Sequence, residues 1–258
     1  MISTSYILPL LTSSFLTGIG LSIAEILLNS SPDTRLIAIV RNSSSLEPLI
    51  KRFGPGRIGV CLGDVTEAET SQNAVKLAIS SFGQLDTIIA NAGVLDPVGP
   101  ISEAVVENWK SLYDVNFFSV VDLVVAALPE LRKAASGKVI AVSSGASTKS
   151  YDGWAAYGSS KAALNHFIQS VAEEEAEHGV NAISVAPGVV NTSMQEDIRE
   201  KFGSNMKPEA LQRFLDLHKN GDLLEPEVPA KVYADLAING WNSKINGGYW
   251  RYNDEVLN

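Results

Sequence analysis

The sequence predicts an α/β fold: a doubly wound parallel sheet flanked by helices on both faces, built as one domain. Three observations predict it. Short, nearly continuous apolar runs recur along the chain, as strands buried on both faces require. Segments with helical apolar spacing separate them. No linker-like stretch, repeat or low-complexity tract interrupts the alternation over 258 residues. The apolar start, Ile7 to Leu16, stands where the first strand belongs, and a helix runs from near Gly18 to before Pro32. Leu36 to Val40 and Gly59 to Leu62 are the next strands, and Thr70 to Phe82 is a helix. Leu85 to Ala90 is a buried strand closed by Asn91-Ala92-Gly93, followed by a long helical region from Glu103 to Leu131. Val139 to Val142 is a strand ending in Ser143-Ser144, and Ser159 to His178 is a helix stopped by Gly179. Ala182 to Ala186 is a strand ending in Pro187-Gly188. The polar segment Val189 to Leu224 breaks this rhythm and reads either as a helical lid over the strand ends or as a static surface excursion.

Composition narrows the function classes. A formal charge of -9 disfavours nucleic acid and anionic membrane as partners. No uninterrupted apolar run reaches the ~20 residues of a membrane span, and the apolar start lacks a basic flank and contains Pro9, unlike a signal peptide. The single Cys61 has no internal disulfide partner, suits a reducing compartment, and reads as a buried apolar thiol. A cytoplasmic location is the expectation. The three histidines, His166, His178 and His218, lack metal-ligand spacing, so no metal is expected, and His166 reads as a packing residue.

The chemistry-bearing pattern is Tyr157 and Lys161, four apart and therefore on one helix face, with Ser144 thirteen residues upstream. An ammonium beside a phenol favours phenolate and draws its pKa down toward working pH, while Ser144 offers a second hydroxyl to the same substrate oxygen. The pair alone fits an ordinary amphipathic surface equally well.

Together with Asn91-Ala92-Gly93, Asn116 and Pro187-Gly188, in this order and at these distances, the pattern resembles the short-chain dehydrogenase/reductase family from about Gly18 to the C-terminus. The runs at 91–98, 109–118 and 156–167 are most similar to the fungal benzil reductases, relatives of the sepiapterin reductases. The resemblance implies a Rossmann-type fold and NADPH-dependent reduction of a small-molecule carbonyl. It assigns Ser144, Tyr157, Lys161 and Asn116 to catalysis, Asn116 by placing water in a proton relay to Lys161, with Ser143 a structural strand-end hydroxyl. It places the pyrophosphate at the turn ending in Gly18, Ile19 and Gly20, the adenine at Asp64 and Val65, and the adenosine ribose at Asn91, Ala92 and Gly93. Tyr157 and Lys161 would also face the nicotinamide ribose, and Pro187, Gly188, Val189 and Thr192 the nicotinamide.

Arg41, followed by Asn42, stands where an acidic residue would bind the ribose of NAD, and arginine pairs instead with the 2′-phosphate of NADP. The phosphate turn departs from the family pattern. Ser14 occupies the first glycine position, Ser13 precedes it where threonine is usual, Thr17 stands where some relatives carry a basic residue, and Pro9 lies in what should be a central strand. These departures fit either a different start or splice junction or a divergent turn that weakens cofactor binding. Leu95, Trp154, Val189, Val190 and Met194 are candidates for an apolar substrate pocket or for core. Two alternatives to an NADPH-dependent reductase are a sensor or scaffold that binds NADP(H) without turnover, and an NAD-dependent alcohol dehydrogenase. The resemblance also implies a homodimer or homotetramer through the helices at 103–131 and 159–178, with Phe117, Phe118, Val121 and Val125 available for the contact.

Overall fold

The computed structural model of the chain describes residues 4–9 and 18–257. Its strands are β1 (Thr4–Pro9), β2 (Thr34–Val40), β3 (Ile58–Leu62), β4 (Thr87–Ala90), β5 (Gly137–Val142), β6 (Val180–Ala186) and β7 (Tyr249–Arg251). All pair in parallel, in the order β3-β2-β1-β4-β5-β6-β7. The helices are α1 (Ile19–Ser30), α2 (Glu47–Phe53), α3 (Ala68–Phe82), α4 (Val106–Tyr113), α5 (Ser119–Leu131), α6 (Ala155–Glu174), α7 (Ser193–Glu200), α8 (Pro208–Asn220) and α9 (Glu227–Asn239).

Strand alternation divides the core between the two faces of the sheet. Leu36, Ala38 and Val40 of β2 pack with Ile23 and Leu27 of α1 and Tyr233 of α9, whereas Ile37 and Ile39 pack with Ala74 of α3, Leu123 of α5 and Leu164 of α6. Each such fully buried aliphatic side chain contributes roughly 1.5–3 kcal/mol. The order reverses between β1 and β4, and that reversal opens a crevice at the strand C-terminal ends, the ligand position of doubly wound sheets.

The structure alters several expectations. Helix α6 begins at Ala155 rather than Ser159, so Tyr157 lies within it; Gly179, at φ +74°, ends the short turn that follows. The helical region expected from Glu103 begins at Val106 and continues to Leu131 through a π-helical turn at Asp114–Phe118. By length and composition alone this 26-residue helix, with an apolar window of mean hydropathy 1.6, is apolar enough to cross a membrane. Charged residues, among them Lys110, Asp114 and Asp122, keep any continuous apolar run short, as the sequence reading has it, and the helix packs one face into the protein core. Pro9 does not prevent β1 from taking its central place. It is the last residue of the strand, beyond the Tyr6 and Ile7 positions that pair with β4. His166, expected to pack, is exposed, while Cys61 is buried as expected.

Candidate active site

Helix α1 starts at Gly18, whose φ of +119° is a backbone state that disfavours side chains. No acidic residue occupies its first turn and Gly18 offers no side-chain cap, so this helix N-terminus at the crevice is suited to an anion. Ser13, Ser14 and Thr17 lie outside the described residues. A cleft of about 420 Å³ runs from Gly18, Ile19 and Gly20 past Asn91 and Gly93 to Tyr157, Lys161, Pro187 and Thr192, with Arg41 also lining it. Other expected cofactor residues stand off this cleft. Asn42 caps a 3-10 turn by accepting the Ser44 N–H at 2.9 Å. Asp64 accepts from the Thr66 N–H and hydroxyl at 3.0 and 2.8 Å; those bonds, with nearby Arg41, hold its carboxyl below the usual range against partial burial. Val65 and Ala92 belong to the core, and Gly188 and Val189 line a second pocket.

Four elements build the reactive end of the cleft. Tyr157 and Lys161 lie one turn apart on α6, both buried, and the Lys161 ammonium donates to the Val142 carbonyl of β5 at 2.9 Å. Ser144 follows β5, and Tyr249 of β7 donates its hydroxyl to the Ser144 carbonyl at 3.2 Å. Gly158 lets α6 approach: a β-carbon there would lie 2.8 Å from the Ala146 carbonyl oxygen. That approach brings Tyr157 into hydrogen-bonding range of Ser144. Ser143 donates to Asn165 at 2.6 Å, a structural contact of the kind expected.

Asn116 is fully buried in the π-turn, a distortion that often marks functional positions. Its Oδ1 accepts the Val94 N–H and its Nδ2 donates to the Val94 carbonyl, each at 2.8 Å, with a further contact to Ser160 Oγ at 3.2 Å. Ser160 in turn donates to the Tyr157 carbonyl at 2.8 Å. The point where a Gly93 β-carbon would stand is 3.3 Å from Lys161 Nζ and 3.5 Å from Asn116 Oδ1, so the glycine keeps that junction clear.

Burial governs the ionisation of the pair. It pushes the Tyr157 phenol above its ordinary value, with the Ser144 hydrogen bond pulling weakly the other way. It lowers Lys161 to about 8. The expectation that Lys161 draws the phenol toward neutrality is therefore not met in this structure: desolvation of the phenolate dominates, and the downward pull comes from Ser144 rather than Lys161.

The second pocket, about 180 Å³, opens on the other side of Tyr157 and Ser144, and the two share Ile19, Ser143, Tyr157, Pro187, Thr192 and Met194. Trp154 stacks against both Tyr151 and Phe214, with centroids 5.0 and 5.3 Å away, and meets the Tyr157 ring edge-on at 5.8 Å. Val189, Val190 and Met194 line this pocket as expected, whereas Leu95 lines the larger cleft. Gln195, Arg213, Arg251 and Tyr252 also line it and were missed. Phe214 could have been placed from the amphipathic spacing of α8; nothing local to β7 marks Arg251 or Tyr252.

The excursion at 189–224 carries α7 and α8 across both openings. Its ends are paired: Asn191 N–H donates to Leu224 O at 2.8 Å and Leu224 N–H to Val189 O at 2.9 Å. Gly188, at φ +83°, permits this junction, since a β-carbon there would meet Leu224 and Tyr252 at 2.8 Å. Phe202, Met206 and Phe214 are buried with Trp154 and Tyr157. Lys201 pairs with Asp96 across the larger cleft at 3.6 Å, and Lys207 with Asp152 at 3.6 Å.

A doubly wound sheet whose crevice meets a smaller pocket at a half-buried serine and a buried tyrosine and lysine defines an oxidoreductase of the dinucleotide-binding class. The short chain dehydrogenase model matches residues 14–203, and the chain belongs to this family of enzymes, which use a nicotinamide cofactor to act on CH–OH or C=O groups of small molecules. It is 46% identical over 93% of both chains to the uncharacterized oxidoreductase YIR035C of Saccharomyces cerevisiae. It is 43% identical to the benzil reductase ((S)-benzoin forming) IRC24 of the same yeast, over 93% of this chain and 94% of that one. A benzil reductase ((S)-benzoin forming) of Bacillus cereus is 34% identical over 85% and 89%. The crystal structure of YIR035C superposes with a TM-score of 0.92 at 44% identity over 99% of this chain and 98% of that one. The structure of the KRED1-Pglu enzyme does so with 0.90 at 45% over 96% and 100%.

Proposed function

We propose that this chain is an NADPH-dependent carbonyl reductase acting on ketones or 1,2-diketones of the benzil kind. The observation that carries the reading is the buried Tyr157 hydroxyl, set beside Ser144 at the point where the larger cleft meets the aromatic pocket. Similarity to two benzil reductases supports the substrate class. The α1 N-terminus with no acidic residue in its first turn, Arg41 and the side-chain-free Gly93 fit a dinucleotide in the larger cleft. There the nicotinamide would supply the hydride.

The residues do the rest. Ser144 Oγ holds the carbonyl oxygen, and Tyr157 gives it a proton as charge develops. A raised phenol pKa suits this direction, because it keeps Tyr157 in the acid form at neutral pH. Lys161 supplies positive charge beneath the phenol and a donor to the cofactor ribose. The Asn116 side chain is committed to Val94 and Ser160, so its part is to hold the π-turn and strand end beside Lys161, from which a proton relay to solvent would run. The segment 189–224 acts as the lid that excludes water.

Incubating the purified chain with benzil and either NADPH or NADH tests the reading: oxidation of NADPH supports it, and absence of turnover with every diketone overturns it. Arg41→Asp is expected to reduce kcat/KM for NADPH by about 10- to 100-fold relative to NADH, the weight of a lost charge-assisted contact. The ratio of the two cofactors' initial rates checks this. Reduction is also expected to lose kcat/KM as pH rises through about 8, where Lys161 gives up its proton while Tyr157 still holds its own. A pH profile to 10 with wild type and Lys161→Arg checks it: the alkaline limb moves upward or disappears in any active variant.

Assembly as a homodimer or homotetramer is supported by Phe118 and Val125, both exposed on the same long helix; Phe117 is instead half-buried against the core. Sedimentation equilibrium measures the state. A cytoplasmic location is supported by similarity to a structure described as a cytoplasmic protein of Saccharomyces cerevisiae, 42% identical with a TM-score of 0.81.

A further inference from the structure

The protein carries a formal charge of -9, yet the pocket beside Tyr157 has two arginines, Arg213 and Arg251, and no acidic residue among its described lining. Neither guanidinium forms an ion pair with a described carboxylate. Asp254, three residues after Arg251, accepts the Arg251 backbone N–H at 2.7 Å. Arg213 donates to the Tyr151 hydroxyl at 3.1 Å and lies over the Tyr151 and Phe214 rings, so it enters from the 189–224 segment. Arg251 comes from β7, and its Nη2 lies 4.0 Å from where a Gly145 β-carbon would stand, one residue from Ser144. A third donor, Trp154 Nε1, is buried in the pocket wall without a hydrogen-bond partner among the described residues.

A donor-rich, acid-free pocket lined by stacked aromatic rings recognises an anion joined to an apolar group. We propose that the preferred substrates are 2-oxo carboxylic acids with an aryl or bulky apolar substituent, the carboxylate held by Arg251 and the substituent lying on Trp154 and Phe214. The inference rests on the reductase reading and names its substrate class. The placement selects the 2-oxo position: Arg251 shares the pocket wall with Ser144 and Tyr157 and faces Gly145, the residue after Ser144, so a carboxylate bonded directly to the carbonyl carbon that Ser144 would hold lies on the guanidinium's side of the pocket. In the reaction that carbon gains the hydride carried by the cofactor and its oxygen gains the Tyr157 proton. The C=O π bond is replaced by C–H and O–H bonds, and the products are a 2-hydroxy acid and oxidised cofactor.

Benzoylformate, its neutral methyl ester and benzil serve as probes. Wild type is expected to favour benzoylformate over the ester in kcat/KM, and Arg251→Met to reduce that acid-to-ester ratio by about 10- to 100-fold, with partial recovery in Arg251→Lys. Equal or ester-favouring selectivity in wild type, or a ratio unchanged by Arg251→Met, overturns the proposal. If none of the three compounds is reduced, the reductase reading falls, and tryptophan fluorescence decides the anion site separately. Saturable quenching by benzoylformate that Arg251→Met abolishes upholds the site; no quenching, or quenching unchanged in the variant, removes it.

Discussion

Tyr157→Phe is expected to lower kcat for benzil reduction by about 10²- to 10⁴-fold, the usual weight of a positioned general acid. The substitution removes one oxygen and keeps the ring that meets Trp154 edge-on at 5.8 Å. The lost hydroxyl is buried, and its described hydrogen-bond partner is Ser144, which itself accepts the Ala146 N–H at 3.2 Å and so is not left without a contact. Folding stability therefore changes by no more than about 1 kcal/mol. Cofactor affinity, read by quenching of protein fluorescence or by calorimetry, stays within a few-fold of wild type, because Lys161 and the α1 end are untouched. A variant that keeps a tenth or more of wild-type kcat would remove Tyr157 from the chemistry.

Asn116→Ala is expected to destabilise the protein by about 2–5 kcal/mol, since it leaves the Val94 N–H and C=O unpaired at a cost of roughly 1–3 kcal/mol each. For a chain of this size that is a drop of roughly 5–15 °C in melting temperature. Asn116→Asp separates the two bonds: its carboxylate still accepts the Val94 N–H but cannot donate to the Val94 carbonyl, so its stability falls between alanine and wild type. Urea unfolding of the three proteins measures the order. Activity should fall with stability in both variants, because the same side chain fixes the strand end beside Gly93 and Lys161. Equal stability of wild type and Asn116→Ala would mean that the Val94 pairing contributes nothing.

Much of the fold was legible because β2, β4, β5 and β6 are buried on both faces, so each writes itself as a nearly continuous apolar run. The Ser144, Tyr157 and Lys161 cluster was legible for a different reason: i,i+4 spacing on one helix and a strand terminus are local geometry. What stayed hidden was settled by distant packing. Helix α2 has only seven residues and Pro48 in its first turn, and β7 is three residues long beside Gly247 and Gly248; neither holds enough pattern to be read alone. Helix α9, not anticipated, covers one sheet face through Tyr233, Ala234 and Ala237, small or polar-tipped residues that give a weak apolar stripe. The phenol's upward pKa shift was also unreadable, since the sequence shows Lys161 nearby and does not show how deeply both groups are buried.

The two feet of the 189–224 segment stand side by side, joined through Val189, Val190, Asn191 and Leu224. Whatever is threaded between them must close the same short gap, and the entropy of closure changes only slowly with length, by about 0.6 kcal/mol per doubling. Length added between the feet is therefore cheap, whereas Phe202, Met206 and Phe214, packed on Trp154 and Tyr157, moor the span to the floor beneath it.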